Sequence, residues 1–370
     1  LVLQMDFLSQ ERVLATLTDP QQEGFLHLLH QSLQGTSGMA IYAWQPGENL
    51  QDIWQRSPGL PMSEWTALAA QAESLLQRLE RQQVVHADIS PSNLLWHDGV
   101  LTLVDYDNLH ALAIQDRPAR RAFRTTPEYS APELCQGHRT NLSVDRYSMA
   151  LVLLQAATGI FPDLCRNWQQ RDFSRYERYT THLPAPVRAA LLDACVWNPE
   201  QRSAKPFDAV AVKRDVPSWL QELSEQLHRV THASAADYEK HQKALLEQES
   251  TPLTYYHLAY HGERVGDLES AKRFARACLG FEPFHQGAHW VLASVLCKQS
   301  SPAAALKVLQ QALSYTTEAP ETYRLLLQIY CSQGKLELAL AACQHLERCL
   351  PHHAEARLER ALTLAHFGVQ

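Results

Sequence analysis

The C-terminal third of the chain repeats with a period of 34 residues, and this period restricts the fold of that region more than any other feature. A large residue, a Leu, an Ala, a Gly and a Pro each return to one slot. Ala lets two helices approach closely and Gly permits the turn between them, so the period predicts stacked helical hairpins. The residues that share slots are Tyr255, His289 and Tyr323; Leu258, Leu292 and Leu326; Ala271, Ala305 and Ala339; Gly266, Gly334 and Gly368; Pro283 and Pro351.

These slots resemble those of tetratricopeptide repeats. The resemblance divides residues 251–370 into repeats at 252–285, 286–319 and 320–353, with a partial or capping repeat at 354–370. An ordinary helical bundle with accidental spacing is the alternative. Repeats of this kind stack into a curved solenoid, and the resemblance implies that the concave face binds a protein or peptide partner.

Residues 85–134 carry a second set of motifs. His86-Ala87-Asp88 is followed by Asn93, by Asp105-Tyr106-Asp107, and by Thr-Pro-Glu-Tyr-Ser-Ala-Pro-Glu at residues 126–133. Phosphoryl transfer needs a carboxylate that orients the attacking hydroxyl, and an amide and a carboxylate that hold magnesium. Taken singly, each residue could be an ordinary turn residue. The ordered combination is far more specific.

The set resembles the catalytic and activation segments of a protein kinase, in particular a divergent eukaryotic-like (Hanks-type) bacterial Ser/Thr kinase. The resemblance implies an α+β protein-kinase-like bilobal domain followed by an all-α tetratricopeptide-repeat solenoid. The kinase-like domain is expected at residues 1–216, with a small lobe at 1–45 and a large lobe at 46–216. Residues 217–250 are rich in helix formers and predict a helical linker.

The resemblance also assigns roles to single residues. Asp88 orients the substrate hydroxyl, while Asn93 and Asp105 complete the catalytic group and hold the metal. The implied cofactors are ATP and Mg²⁺, with Mn²⁺ as an alternative ion. Structural roles fall to His86, to Asp145, which bonds the catalytic-loop backbone, and to Glu133, which pairs with Arg202.

The predicted cofactor-binding residues lie mainly upstream. Tyr42 occupies the gatekeeper slot, and backbone groups of Ala43 and Gln45 would bond adenine; the Pro46-Gly47 turn closes this hinge. Leu95 is included in the same set. Gln4 stands in the slot of the phosphate-binding Lys, and Glu11 in that of its partner carboxylate.

Several positions depart from the kinase pattern. Ala87 replaces an Arg, Ser90 replaces a Lys that steadies the transferred phosphate, and Asp107 replaces a Gly. The chain has no visible Gly-rich loop, and Gln4 supplies no charge. We expect either that residues precede Leu1 or that the small lobe is reduced.

Three functions follow from these observations. The first is a divergent Ser/Thr kinase that phosphorylates a protein recruited by the repeats. The second is a pseudokinase scaffold that binds nucleotide or a partner without turnover. The third, phosphate transfer to a small molecule, leaves residues 126–133 and the repeats without a purpose.

Net charge, the length of apolar runs and the spacing of cysteines limit which partners and which cellular compartment are expected. A formal charge of -7 and a pI near 6.2 give no electrostatic case for nucleic acid or anionic membrane. No apolar run approaches the ~20 residues of a membrane span. Eight scattered cysteines fit neither zinc spacing nor a disulfide framework, so a cytoplasmic protein with free thiols is expected.

Hydrophobic patterns place the secondary structure. Ser63 is the expected cap of one helix. The remaining elements follow from alternation, from helical periodicity and from turn residues. Strands are predicted at residues 1–7, 24–33, 39–44, 94–96 and 101–104, and helices at 8–17, 63–82, 143–158, 186–197 and 217–230.

Overall fold

The structure, a computed structural model, describes most of the chain. The predicted strand at 1–7 and helix at 8–17, with Gln4 and Glu11, lie outside the described residues, as does Asp107. The described residues are 24–34, 37–106, 108–111, 126–135, 141–166, 172–204, 206–207, 215–350 and 354–368.

The chain divides into two compact units. The first contains Leu1–Leu134, His138–Pro162 and Phe173–Ser218. The second contains Trp219–Gln370 together with two short segments from earlier in the chain, Cys135–Gly137 and Asp163–Asp172.

Three small antiparallel sheets and several helices form the first unit. Strand β1 pairs with β2, strands β3, β5 and β6 form the second sheet, and β4 pairs with β7. The strands are β1 Leu28–Gln34, β2 Ser37–Tyr42, β3 Glu48–Asn49, β4 Val84–Val85, β5 Leu94–His97, β6 Val100–Leu103 and β7 His110–Ala111. The helices between residues 50 and 194, of which α5 lies mostly in the second unit, are α1 Leu50–Arg56, α2 Met62–Arg81, α3 Pro132–Cys135, α4 Ser143–Thr158, α5 Pro162–Cys165, α6 Tyr176–Tyr179 and α7 Ala185–Ala194.

Helix α4 forms the centre of the first unit. Nearly all of its residues are buried, so the helix has no solvent-facing side, and most of its sequence is apolar. Gly159 ends the helix in a left-handed conformation at φ 67°. The indole of Trp65 on α2 donates a hydrogen bond to the Leu153 carbonyl at 2.9 Å, which fixes α2 against α4.

The start of α2 differs from the prediction. The helix begins at Met62 with Pro61 in the cap position, and no side chain caps it. Ser63 therefore lies inside the first turn, and its expected role as the cap is wrong. Pro61 has a fixed φ and is adapted to a helix start, and this signal outweighs the hydroxyl of Ser63.

Paired helices build the second unit. Five of its helices begin 34 residues apart, at Ser218, Pro252, Gln286, Pro320 and Ala354. Ala271, Ala305 and Ala339 are fully buried where helices meet. The helices are α8 Ser218–Thr231, α9 Tyr238–Gln248, α10 Pro252–Val265, α11 Leu268–Phe281, α12 Gln286–Lys298, α13 Pro302–Tyr315, α14 Pro320–Ser332, α15 Leu336–Cys349 and α16 Ala354–His366.

The region predicted as a helical linker, residues 217–250, contains a helical hairpin. Helices α8 and α9 are separated by a turn at residues 232–237. The hydroxyl of Tyr238 on α9 donates to the Leu258 carbonyl, and its oxygen lies 2.8 Å from where a Cβ on Gly262 would stand. The hairpin is thus packed onto α10 as the later hairpins are packed onto one another.

None of the helices in the described residues is both long and apolar enough to cross a membrane.

Candidate active site

The Asp88 carboxylate is held by two neighbouring residues. Its Oδ1 accepts hydrogen bonds from the Thr126 amide at 2.9 Å and the Thr126 hydroxyl at 3.1 Å. Its Oδ2 accepts from the side-chain nitrogen of Asn93, Nδ2, at 3.2 Å. The same nitrogen also donates to the backbone carbonyl of Asp88 at 2.9 Å. The carboxylate is therefore fixed in orientation before any substrate arrives.

Burial changes the proton affinity of Asp88. Desolvation raises its pKa to about 6, against the opposing effect of the Thr126 hydrogen bonds, and the negative charge of Asp105 adds to the increase. A carboxylate with a pKa near 6 is ionised at neutral pH and can accept a proton more readily than an ordinary Asp.

Asn93 and Asp105 lie on adjacent stretches of backbone. Asn93 ends a short 3-10 turn at Pro91–Asn93, and its carbonyl accepts from the Val104 amide at 3.0 Å, one residue before Asp105. Asp105 follows β6, is exposed, and has a left-handed backbone with φ 63°.

Their side chains carry oxygen atoms of the kind that could hold a magnesium ion. The side-chain amide nitrogen of Asn93 donates to Asp88, so the side-chain oxygen is the atom that could bind a metal. Within the described residues no three His, Cys, Asp or Glu side chains converge on a metal site. One carboxylate and one amide oxygen are nevertheless a donor set that magnesium completes with water and phosphate oxygens.

Asp145 supports the loop that carries Asp88. Its two carboxylate oxygens accept from the backbone amides of His86 at 2.7 Å and Ala87 at 2.8 Å. Full burial raises the Asp145 pKa to about 7, which the two amide bonds oppose. Asp145 lies in the first turn of the central helix α4, so the loop is tied directly to the core of the first unit.

His86 and Tyr106 connect the loop to the first sheet. The His86 ring is buried, its Nε2 lies 3.2 Å from the Val104 carbonyl oxygen, and desolvation lowers its pKa to about 4. It is therefore neutral at pH 7. The Tyr106 ring meets His86 edge-on at 6.0 Å and Tyr42 at 5.6 Å. The Tyr106 hydroxyl donates to Leu103 and accepts from the Leu26 amide, which anchors the aromatic group.

The predicted hinge follows β2. The Ala43 amide donates to the His27 carbonyl at 2.7 Å, which leaves the Ala43 carbonyl as the group that adenine could use. Gln45 is half-buried in the irregular stretch between β2 and β3. Leu95 on β5 lies beside the turn, since a Cβ on Gly47 would come within 3.5 Å of the Leu95 Cβ.

Glu133 and Arg202 form a buried ion pair. Arg202 Nη2 donates to Glu133 Oε2 at 2.7 Å, and Nη1 bonds the other oxygen. The guanidinium lies over the Tyr147 ring at 4.7 Å. This pair fixes α3, which begins within the 126–133 motif, to Arg202 near the end of the first unit.

Two of the departures from the kinase pattern are visible. Ala87 has φ 65°, a left-handed conformation stabilised by the Asp145 bond to its amide. Ser90 is fully buried, and its hydroxyl lies 2.9 Å from that of Ser92. No cation therefore occupies position 90, where the family pattern has Lys.

Sequence reasoning did not predict the contact of Thr126 with Asp88. The two residues are 38 positions apart, and no local pattern pairs them. The available signal was the place of Thr126 at the start of its motif, immediately after a segment that lies outside the described residues.

Comparison with known proteins agrees with this geometry. A family model described as the protein kinase domain matches residues 28–233, more than half of the chain. The chain therefore belongs to the protein kinase family. The predicted fold class is confirmed, with small sheets and helices in the first unit and paired helices in the second.

Several protein kinases are similar to the chain. A DNA damage-responsive serine/threonine-protein kinase of Deinococcus radiodurans is 31% identical over 164 residues, which cover 42% of this chain and 24% of that protein. A probable serine/threonine-protein kinase of Clostridium perfringens is 22% identical over 157 residues, 42% of this chain and 22% of the relative. Mitogen-activated protein kinase kinase 2 of Arabidopsis thaliana is 27% identical over 177 residues, 47% of each chain. The chain spans less than half of the length of each.

Proposed function

We propose that the first unit is a divergent Ser/Thr protein kinase that transfers the γ-phosphate of ATP to a protein hydroxyl. The observation that carries this proposal is the Asp88 carboxylate, fixed by Thr126 and Asn93 and raised in pKa to about 6. Such a group can orient a hydroxyl and accept its proton. The relatives named as serine/threonine-protein kinases support the substrate class.

The roles of the other residues follow from their positions. Asn93 and Asp105 would hold Mg²⁺, which neutralises charge on the phosphates of ATP. Asp145 keeps the Asp88 loop in place through two backbone amides. The Ala43 carbonyl and the Gln45 backbone would bind adenine, with Tyr42 and Leu95 beside it.

Transfer of labelled phosphate tests the proposal. The protein with Mg²⁺ and γ-labelled ATP should label itself or a lysate protein, and Asp88→Asn should reduce labelling at least a hundredfold. Asp98→Asn is the matched control, because Asp98 lies in the exposed turn between β5 and β6. Equal labelling by the protein and Asp88→Asn would refute the assignment.

A pseudokinase scaffold is the second candidate. The buried Ser90 hydroxyl in place of a Lys favours it, because the transferred phosphate loses one positive charge. Nucleotide binding without any phosphate transfer would identify this function. A thermal shift with Mg-ATP that disappears in Asp105→Ala, combined with no labelling, is the expected result for a scaffold.

We also propose that the hairpins of the second unit are tetratricopeptide repeats that recruit the protein substrate. The 34-residue spacing of helix starts and the buried Ala residues support this assignment. Removal of residues 320–370 leaves α8 to α13 and should lower labelling of lysate proteins without changing the Mg-ATP thermal shift. Unchanged lysate labelling would count against recruitment by the repeats.

A further inference from the structure

The second unit contains a segment that comes from between two stretches of the first unit. Asp163–Asp172 is the segment, and its described part includes Asp163 and Arg166. The hydroxyl of Tyr256 on α10 donates a hydrogen bond to Asp163 Oδ2 at 3.2 Å. Asp163 Oδ1 lies 3.7 Å from Arg166 Nε, so the carboxylate has one partner on α10 and one on its own segment.

Tyr256 lies at the place where the first helices of two hairpins meet. Only 8% of the residue is exposed. Its ring covers Gly287 on α12 so closely that a Cβ there would come within 2.6 Å of the ring, and the buried His285 ring lies 4.5 Å away. A larger residue at position 287 would displace the ring, so Gly287 is required for this arrangement.

The surroundings of Tyr256 favour an anionic acceptor. Burial raises the pKa of Tyr256 well above its ordinary value, and the neighbouring Asp163 charge acts in the same direction. The hydroxyl consequently stays protonated and remains a donor at physiological pH. A hydrogen bond from a neutral donor to a carboxylate is stronger than one between two neutral groups. The difference is larger at a mostly buried site, where the local dielectric constant is lower.

We propose that Asp163 is an internal ligand of the repeats, bound to Tyr256 at the position where a carboxylate of an acidic partner peptide would bind. The inference rests on the proposed recruitment of a partner by the repeats. The segment is covalently linked to the repeats, so its effective concentration at Tyr256 is on the order of millimolar. A partner peptide must therefore displace Asp163 before it occupies the site.

Hydrogen exchange of the full chain tests whether Tyr256 holds the segment. Tyr256→Phe removes the hydroxyl but keeps the ring over Gly287, and it should accelerate exchange of amides 163–166 about tenfold, the effect of one charge-assisted hydrogen bond. Tyr260→Phe is the matched control one turn along α10, where the side chain is 36% exposed. Identical exchange in the two variants would overturn the proposal.

A peptide in trans tests whether the site accepts an external ligand. A labelled peptide of residues 158–174 should bind the full-length Asp163→Ala variant about tenfold more tightly than the unaltered protein, whose site is already occupied. Adding Tyr256→Phe should remove the gain. Equal binding to all three proteins would overturn the inference. Neither measurement uses ATP or turnover, so failure here is separate from failure of the proposed kinase activity.

Discussion

Asp88 is the predicted catalytic carboxylate, and its pKa is raised above that of an ordinary Asp. If it acts as proton acceptor, the protonated form is inactive. Because desolvation raises its pKa to about 6, the rate kcat/KM should fall about tenfold per pH unit below pH 6. The pH profile of peptide phosphorylation measures this directly.

An ordinary Asp would place the same decline near pH 4. Activity that stays constant from pH 7 to pH 5 would therefore contradict the role of Asp88. ATP affinity measured over the same range is the control, since it separates loss of cofactor from protonation of Asp88.

Ser300 has a left-handed backbone conformation, which a residue with a Cβ adopts only at an energetic cost. It occupies the repeat slot held elsewhere by Gly266, Gly334 and Gly368, and like them it has a positive φ, 56°. A left-handed backbone costs a residue with a Cβ about 1 kcal/mol or more. Ser300→Gly should stabilise the second unit by about 1 kcal/mol, measured as a shift of the urea midpoint.

The neighbouring residue provides the control for this prediction. Ser301 has φ -117°, which any residue adopts. Ser301→Gly therefore gains nothing from relief of strain and should be neutral or destabilising. A lower midpoint for Ser300→Gly would show that the strain argument fails.

At the scale of elements, helices α2 and α4 are joined by a buried ion pair. Arg146 on α4 donates to both carboxylate oxygens of Glu73 at 3.0 and 3.3 Å, and the Phe207 amide bonds Glu73 at 2.9 Å. Burial alone would raise the pKa of Glu73, but the hydrogen bonds from Arg146 and Phe207 lower it overall. The charged pair is thus part of the helix contact.

Glu73→Gln should cost about 3–5 kcal/mol of the free energy of unfolding, because Arg146 is left buried with reduced compensation. Glu80→Gln is the control: Glu80 bonds the same guanidinium, but its side chain is 37% exposed, so its loss should cost less than about 1 kcal/mol. Chemical denaturation of the two variants gives both values. Similar costs would contradict a special role for Glu73.

The same pair predicts acid sensitivity. A lowered pKa in the folded protein means that stability from Glu73 is present above its ordinary pKa of 4.5. This contribution is lost as the pH falls below 4.5 and through the lower value of the folded state. Glu73→Gln should show a smaller loss of stability over that range.

Elements with strong local patterns were predictable from the sequence. Helix α4 has the predicted bounds 143 and 158, because its mainly apolar helical pattern starts at Ser143 and Gly159 ends it. Contacts between distant positions were not predictable. Glu73 and Arg146 are 73 residues apart, and neither position shows a periodic signal for the other. The helix predicted at 217–230 matches α8, whereas the turn at residues 232–237 was not expected because it has no Gly or Pro.

The candidate site, like the fold, was predictable from the sequence only in part. Asp88, Asn93 and Asp105 stand in one ordered motif, and the structure brings Asp88 and Asn93 into direct contact. The contact of Thr126 with Asp88 joins residues 38 positions apart, and local spacing does not encode such a pair. Gln4 and Glu11 remain predictions.

At the scale of the whole molecule, the division into two units predicts separate responses to cofactor. Mg-ATP at 100 times its Kd should stabilise the unit that holds Asp105 by about 2.7 kcal/mol and leave the repeat unit unchanged. Differential scanning calorimetry should show two transitions, of which only one moves.

Asp105→Ala should remove that shift while both transitions persist without nucleotide. A single transition that moves as a whole with Mg-ATP would contradict this prediction.

Helix α8 has a consequence for how such a protein can change over evolutionary time. The match to the kinase family extends to residue 233 and so includes α8, yet the Leu227 carbonyl of this helix accepts a 2.8 Å bond from the His257 ring on α10. If recombination replaced the kinase domain up to residue 233, it would also remove α8, the first helix of the second unit. Successful gene fusions in this lineage should therefore break before Ser218, so that α8 is inherited together with the second unit.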